Sequence, residues 1–201
     1  MIPRIVFRSV PRTTSPQVET WWRGVVELTP GWEHITYRDP INPAKFPLTS
    51  PHWKRCTSGA QLAGLIRLEA LYNHGGVWLD SDVELWRPLD SLLPLHGVAA
   101  WEDRNVVPDA VMGFEPEHPV LAGMIAEALR MLGHGAWESG PGVSTRNLVG
   151  RDDVLLLPPG SFYPVHWQDK TPHDAEVLRA EQPWAFGWHH YAASWPGSYQ
   201  G

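Results

Sequence analysis

The sequence predicts an α/β fold, on three observations. Segments of helical period alternate with short apolar runs along most of the chain. A well-capped helix stops at the pair Gly75-Gly76 and passes directly into the apolar triplet Val77-Trp78-Leu79, which is too short for a helix and fits a buried strand. At 201 residues, 43% of them hydrophobic, the chain is long enough for one sizeable core. Helices alternating with strands are the pattern of a sheet covered by helices.

Taken in order, 4–8 is expected to be the first strand, with Ile5 and Val6 buried. Ser15 as N-cap and Pro16 at the first helical position open an amphipathic helix. Its apolar stripe is Val18, Trp21, Trp22, Val25 and Leu28, and Pro30-Gly31 ends it. Residues 33–38 alternate as a second strand, and the proline-rich 39–53 is expected to be loop. Ser58 with Gln61 three residues on is a capping-box signature for the next helix. Leu62, Leu65, Ile66, Leu68, Leu71 and Tyr72 make that helix apolar nearly all round, so it is expected to be largely buried. Gly75-Gly76 can take the left-handed conformation that stops it.

Two further strands are expected over 98–102 and 110–114, with Asp109 just before the second as a solvated turn carboxylate. Pro119 begins a helix whose stripe is Leu121, Met124, Ile125, Ala128, Leu129 and Leu132, with Gly133 as its stop. Gly140-Pro141-Gly142 opens a short helix, 153–157 is expected to be a buried strand, and 171–183 a polar connecting helix or loop. The aromatic run Trp188-His189-His190-Tyr191 precedes Ser194-Trp195 near the end.

Composition narrows the function. No internal repeat divides the sequence, so one domain over 1–201 is expected. A net charge of −6 without a basic block argues against nucleic acid as a partner. The single Cys56 leaves no internal disulfide and fits a reducing compartment. The first strand begins at once, with no room for a signal peptide, and no apolar run approaches the roughly 20 residues of a membrane span. The expectation is a cytoplasmic protein. Most of the 12 tryptophans are expected in the core.

Asp80 and Asp82, at spacing two after the central strand, point to the same side of an extended chain. Their carboxylates repel unless a cation sits between them, and hard oxygen ligands suit Mg²⁺ or Mn²⁺. A solvated Asp-Ser-Asp turn is the plain alternative.

The pattern R-x-x-x-L-Y-x-x-G-G-x-x-x-D-x-D, here Arg67, Leu71, Tyr72, Gly75, Gly76, Asp80 and Asp82, resembles the DXD-type sugar-transferase family. That family includes capsular-polysaccharide transferases, initiation mannosyltransferases and glucosylating toxins. Ile2-Pro3-Arg4-Ile5, Pro30-Gly31-Trp32-Glu33, Gly140-Pro141-Gly142 and Ser194-Trp195 extend the likeness along most of the chain. Two departures accompany it. Where the family usually carries Ser-Asp before the arginine, with the Asp touching the donor, this chain has Ala63-Gly64; where the first strand usually runs into His-Gln, it has Phe7-Arg8.

The resemblance implies a single nucleotide-diphosphate-sugar transferase domain of the A type. It implies a retaining transfer from a nucleotide-sugar donor to a glycan, lipid-linked or protein hydroxyl, with Mn²⁺ or Mg²⁺ as cofactor. Asp82 would hold the metal, Asp80 the metal or the ribose, and His189 would join them; Asp80, Asp82 and Arg67 form the catalytic set. Arg67, Gly64, Ser194 and Trp195 would line the donor site, and Asp109 would touch the acceptor. Gly64 is expected to leave a gap with no hydrogen-bond acceptor for the donor sugar.

Two other functions fit parts of the sequence. One is a degenerate protein that binds nucleotide-sugar or glycan without turnover, which the Ala63-Gly64 departure favours. The other is a phosphatase using Asp80 as nucleophile, which is short of lysines: the chain has only Lys45, Lys54 and Lys170.

Overall fold

A computed structural model describes residues 1–192. Along the chain run β1 (Ile5–Val10), α1 (Pro16–Leu28), β2 (Glu33–Arg38), α2 (Gly59–His74), β3 (Gly76–Leu79), β4 (Val83–Leu85), β5 (Gly97–Ala100) and β6 (Val111–Phe114). There follow α3 (Pro119–Met131), α4 (Ala136–Ser139), α5 (Pro141–Leu148), β7 (Leu155–Leu157), α6 (Ala175–Glu181) and β8 (Gly187–His189). Six strands form one sheet in the order β2-β1-β3-β6-β5-β7, and β4 pairs with β8 in a separate two-stranded sheet. The β2-β1-β3 half is parallel, β6 runs antiparallel to both its neighbours, and β7 is parallel to β5.

Alternation along the strands divides the core in two. Phe7, Trp78, Ala99, Met112 and Phe114 face one cluster, with Leu65, Leu68 and Leu71 of α2 and Leu121 and Met124 of α3. Val6, Val77, Leu79, Val98 and Val111 face the other, with Val25 of α1 and Phe162. A sheet covered on both faces explains why its central strands are continuous apolar runs.

The helix starts follow their sequence signals. Ser15 accepts from the Val18 N–H at the head of α1. Ser58 accepts from the Gln61 N–H, and Gln61 Oε1 reaches back to the Thr57 N–H at 2.8 Å, one residue beyond the usual box. The stop of α2 requires glycine: φ is 63° at Gly75 and 103° at Gly76, and a Cβ on Gly76 would fall 2.6 Å from the Ile5 carbonyl oxygen.

The structure departs from expectation at several elements. β1 continues through Arg8 and Ser9 to Val10, because the buried Arg8 guanidinium is held by Glu19 (2.7 Å, from Nη2) and Thr36 (3.1 Å, from Nε) and lies over the Trp22 ring; its Nη1 has no partner among the described residues. Only Leu155–Leu157 of the expected buried strand pairs, and it does so at the sheet edge with Leu155 exposed. β4 and α4 have no sequence signal strong enough to be expected. Among the described residues, no helix is long and apolar enough to cross a membrane.

Candidate functional site

A cavity of about 690 Å³ opens beyond the C-terminal ends of β1 and β3. Open α/β sheets place their ligand crevices outside the carboxyl ends of the strands. Asp80 and Asp82 leave β3 at its floor, and Arg67 reaches in from α2.

Asp80 is fixed from two sides. Its Oδ1 accepts from Trp78 Nε1 at 2.8 Å and from Arg67 Nη2. Arg67 is 5% exposed, and its other nitrogen, Nη1, donates to Asp109 Oδ2. One buried guanidinium thus bridges two carboxylates from different strand ends, which its fork of donors suits. Burial works against the charge on Arg67, but Asp109 and Asp80 outweigh it and hold its pKa above the ordinary value. Glu69, also buried on α2, serves elsewhere: its carboxylate accepts from the N–H groups of Leu48 and Thr49 (2.9 and 2.8 Å) and ties the preceding loop to α2.

Asp82 depends on the small sheet. β4 begins one residue after it, and the β4–β8 register sets Val83 opposite His189. That pairing carries His189 Nε2 to 3.3 Å from Asp82 Oδ1. The following segment then turns around the aspartate: the His190 N–H donates to the Asp82 carbonyl (2.9 Å), and the Ala192 N–H donates to Asp82 Oδ2 (2.7 Å).

One ligand atom from each of Asp80, Asp82 and His189 lies within 4.8 Å of the others. His189 Nδ1 is buried without a partner among the described residues. Two carboxylate oxygens and an imidazole nitrogen fit Mn²⁺ or Mg²⁺ with room for phosphate oxygens. The protonation balance reflects the crowding. Burial raises the pKa of Asp80, and repulsion from Asp82 adds to it, against the pull of Arg67. Burial also opposes the Asp82 carboxylate, but His189 and the Ala192 N–H prevail and keep its pKa below the ordinary value. Burial disfavours imidazolium at His189, while Asp82 and Asp80 raise its pKa above the ordinary value.

Asp109 is not a solvated turn carboxylate. Its side chain is 15% exposed and occupies the space over Gly64, where a built Cβ would sit 3.8 Å from Asp109 Oδ2. The expected gap therefore has a hydrogen-bond acceptor in it, supplied by another element. Sequence reading could not see this, because 45 positions separate Gly64 from Asp109. Ser194 and Trp195 lie outside the described residues.

Other groups at the site had no motif to mark them. Glu102, after β5, accepts from the Tyr191 hydroxyl at 2.5 Å. The Tyr163 hydroxyl is buried without a partner among the described residues; burial, then Asp80 and Asp109, push its pKa well above the ordinary value, so it stays a donor. Trp137 and Trp167 are not core: they line the cavity with 47% and 44% of their surface exposed.

The chain is similar to known glycosyltransferases. The model of a glycosyltransferase sugar-binding region containing the DXD motif matches residues 25–98. Inositol phosphoceramide mannosyltransferase 2 of Schizosaccharomyces pombe is 29% identical over 127 residues, covering 59% of this chain and 36% of that protein. Lactosylceramide 4-alpha-galactosyltransferase of Rattus norvegicus is 28% identical over 133 residues, covering 60% and 36%. The chain spans little more than a third of the length of these two relatives. Among solved structures, PaToxG Glycosyltransferase superposes with a TM-score of 0.59 at 17% identity, covering 73% of this chain and 68% of that one. The bifunctional WbbM structure gives 0.55 at 11% identity, covering 94% and 45%. The fold is that of the A-type glycosyltransferases.

Proposed function

We propose that the chain, whose residues 25–98 match the model of a glycosyltransferase sugar-binding region containing the DXD motif, transfers a sugar from a nucleotide-sugar donor to a hydroxyl acceptor with a divalent cation at Asp80, Asp82 and His189. The observation that carries the proposal is the meeting of those three residues with Arg67 at the floor of one cavity. Its volume lies within the range of small-molecule sites, roughly 300–1,000 Å³.

Mn²⁺ or Mg²⁺, when bound, supplies Lewis-acid stabilisation of the departing diphosphate. The protein's own part is positioning. Trp78 and Arg67 hold Asp80, while His189 and the Ala192 N–H hold Asp82, so neither carboxylate must be ordered as the donor arrives. Arg67, buried and permanently charged, sets positive potential beside the sugar and phosphate.

The commitments of the cavity carboxylates support retention of configuration by front-face displacement. Asp80 and Asp109 are engaged by Arg67, Asp82 by His189, and Glu102 by Tyr191. Asp103 accepts from the Asn105 and Val106 N–H groups, so each of these carboxylates already holds a partner, and the engagement of Asp80 disfavours the phosphatase reading. The acceptor, a glycan or lipid-linked hydroxyl, would approach between Trp137 and Trp167, whose exposed faces suit sugar rings. Two relatives named for ceramide substrates support that class.

The test is metal-dependent donor binding coupled to transfer. A nucleoside diphosphate at one hundred times its Kd should add about 2.7 kcal/mol, or roughly 5–10 °C in melting temperature, only with Mn²⁺ or Mg²⁺ present. Asp82→Ala should abolish that shift and lower transfer at least about a hundredfold. Equal shifts in chelator, or undiminished turnover by Asp82→Ala, would reject the proposal.

A further inference from the structure

We propose that Asp109 determines which donor sugar is accepted, reading a sugar hydroxyl with its free carboxylate oxygen from the place that Gly64 leaves open on α2; this rests on the glycosyltransferase reading above.

Three elements meet at this point. Asp109 arrives from the start of β6, Gly64 faces it from α2, and Gly140 faces it from the turn before α5. A Cβ on Gly140 would lie 3.2 Å from Asp109 Oδ2 and 3.4 Å from Oδ1, so a side chain there would press on the carboxylate. Glycine at 140 clears the space the carboxylate occupies, and the missing side chain at Gly64, where a Cβ would meet Asp109 Oδ2 in ordinary contact at 3.8 Å, leaves that space uncontested from α2. All three residues line the cavity.

The two oxygens of Asp109 differ. Oδ2 accepts from Arg67 Nη1, whereas Oδ1 accepts no hydrogen bond among the described residues. Asp109 thus helps Asp80 hold the buried Arg67 through one oxygen and keeps the other for a ligand. An ionised carboxylate with a free oxygen is an acceptor only, and the complementary ligand group is a hydroxyl donor.

Position indicates which part of the donor carries that hydroxyl. Asp109 and Asp80 sit on the two arms of one guanidinium, so the free oxygen lies about a guanidinium's width from the metal-binding aspartates. In a nucleotide-sugar bound through its diphosphate at Asp80 and Asp82, the transferred sugar and the ribose flank the metal and the base lies farther away; we assign the Asp109 side to the transferred sugar. A site built to bond a hydroxyl rejects a sugar that lacks it or carries it on the other face.

The experiment measures binding of a nucleoside diphosphate and of its hexose epimers by calorimetry with Mn²⁺, in wild type, Asp109→Asn, Gly64→Asp and the double variant. Melting curves check folding. Asp109→Asn should keep the nucleoside diphosphate affinity within about twofold while weakening the preferred nucleotide-sugar about tenfold, or 1.4 kcal/mol. Epimer preference should narrow with it. Gly64→Asp alone sets two carboxylates together and should weaken the nucleotide-sugar as well; the double variant, with one carboxylate again in that space, should recover affinity and preference. Unchanged nucleotide-sugar affinity and preference in Asp109→Asn would overturn the assignment, as would equal losses for nucleoside diphosphate and nucleotide-sugar. Wild type that binds no nucleoside diphosphate would instead refute the glycosyltransferase reading on which the assignment stands.

Discussion

With no cation between them, Asp80, Asp82 and His189 set opposing demands on one another. Asp80 has a raised pKa, so its ionisation is harder in the folded protein than in the unfolded chain. Its contribution therefore falls as pH rises from the ordinary carboxylate value through the folded one. His189 also has a raised pKa, so its pairing with Asp82 is fully present below the ordinary imidazole value of about 6.5 and is lost as pH rises through the folded value. Both act in the same direction. In chelator the wild type should melt lower at pH 8 than at pH 6, and His189→Gln should flatten that slope. Asp80→Asn should melt above wild type at pH 7 in chelator yet lose the stabilisation by Mn²⁺ and nucleoside diphosphate. A metal-free protein equally stable at both pH values would contradict this account of the cluster.

At the scale of elements, the turn from α2 into β3 fixes the angle at which Arg67 meets Asp80. α2 is buried along most of its length, including Arg67 and Glu69, so it cannot shift to relieve an error at its end. Gly76 is the tightest point of that turn. An alanine there would adopt a left-handed conformation and meet the β1 backbone at 2.6 Å. Gly76→Ala should cost at least about 2 kcal/mol, read as a fall in denaturant midpoint with an unchanged slope. A change below about 0.5 kcal/mol would show that the turn relaxes freely. The capping and stop signals of α2 were fully legible in sequence, because they are local chemistry between neighbours.

Across the whole molecule, stability should be distributed unevenly. The six-stranded sheet carries both core clusters, while β4 and β8 pair through only three residues on each strand. Short two-stranded ribbons are marginal by themselves. Amides of β4, β8 and the segment around Asp82 should therefore exchange through local opening, well below the free energy that protects β3 and β6. Divalent metal with nucleoside diphosphate should slow exchange there, because the bound ligand joins Asp80 and Asp82 to His189 across that ribbon. Uniform protection, or protection gained mainly in the sheet, would argue against β8 as the element that completes the metal site.

The sequence by itself determined the alternation of helices and strands, the caps of α1 and α2, the glycine stop at Gly75-Gly76 and the paired carboxylates at Asp80 and Asp82. Each of these is set by residues a few positions apart, where propensity, capping and side-chain period act directly. His189 was legible only through family resemblance, since nothing local ties a histidine in an aromatic run to an aspartate 107 positions earlier. What only the tertiary structure decided is who meets whom. The β4–β8 register brings His189 and Ala192 to Asp82, and the arrival of β6 beside α2 places Asp109 in the space at Gly64 and against Arg67. Both depend on strand pairing and close packing between distant segments, which a single sequence records only as separate polar residues with no common period.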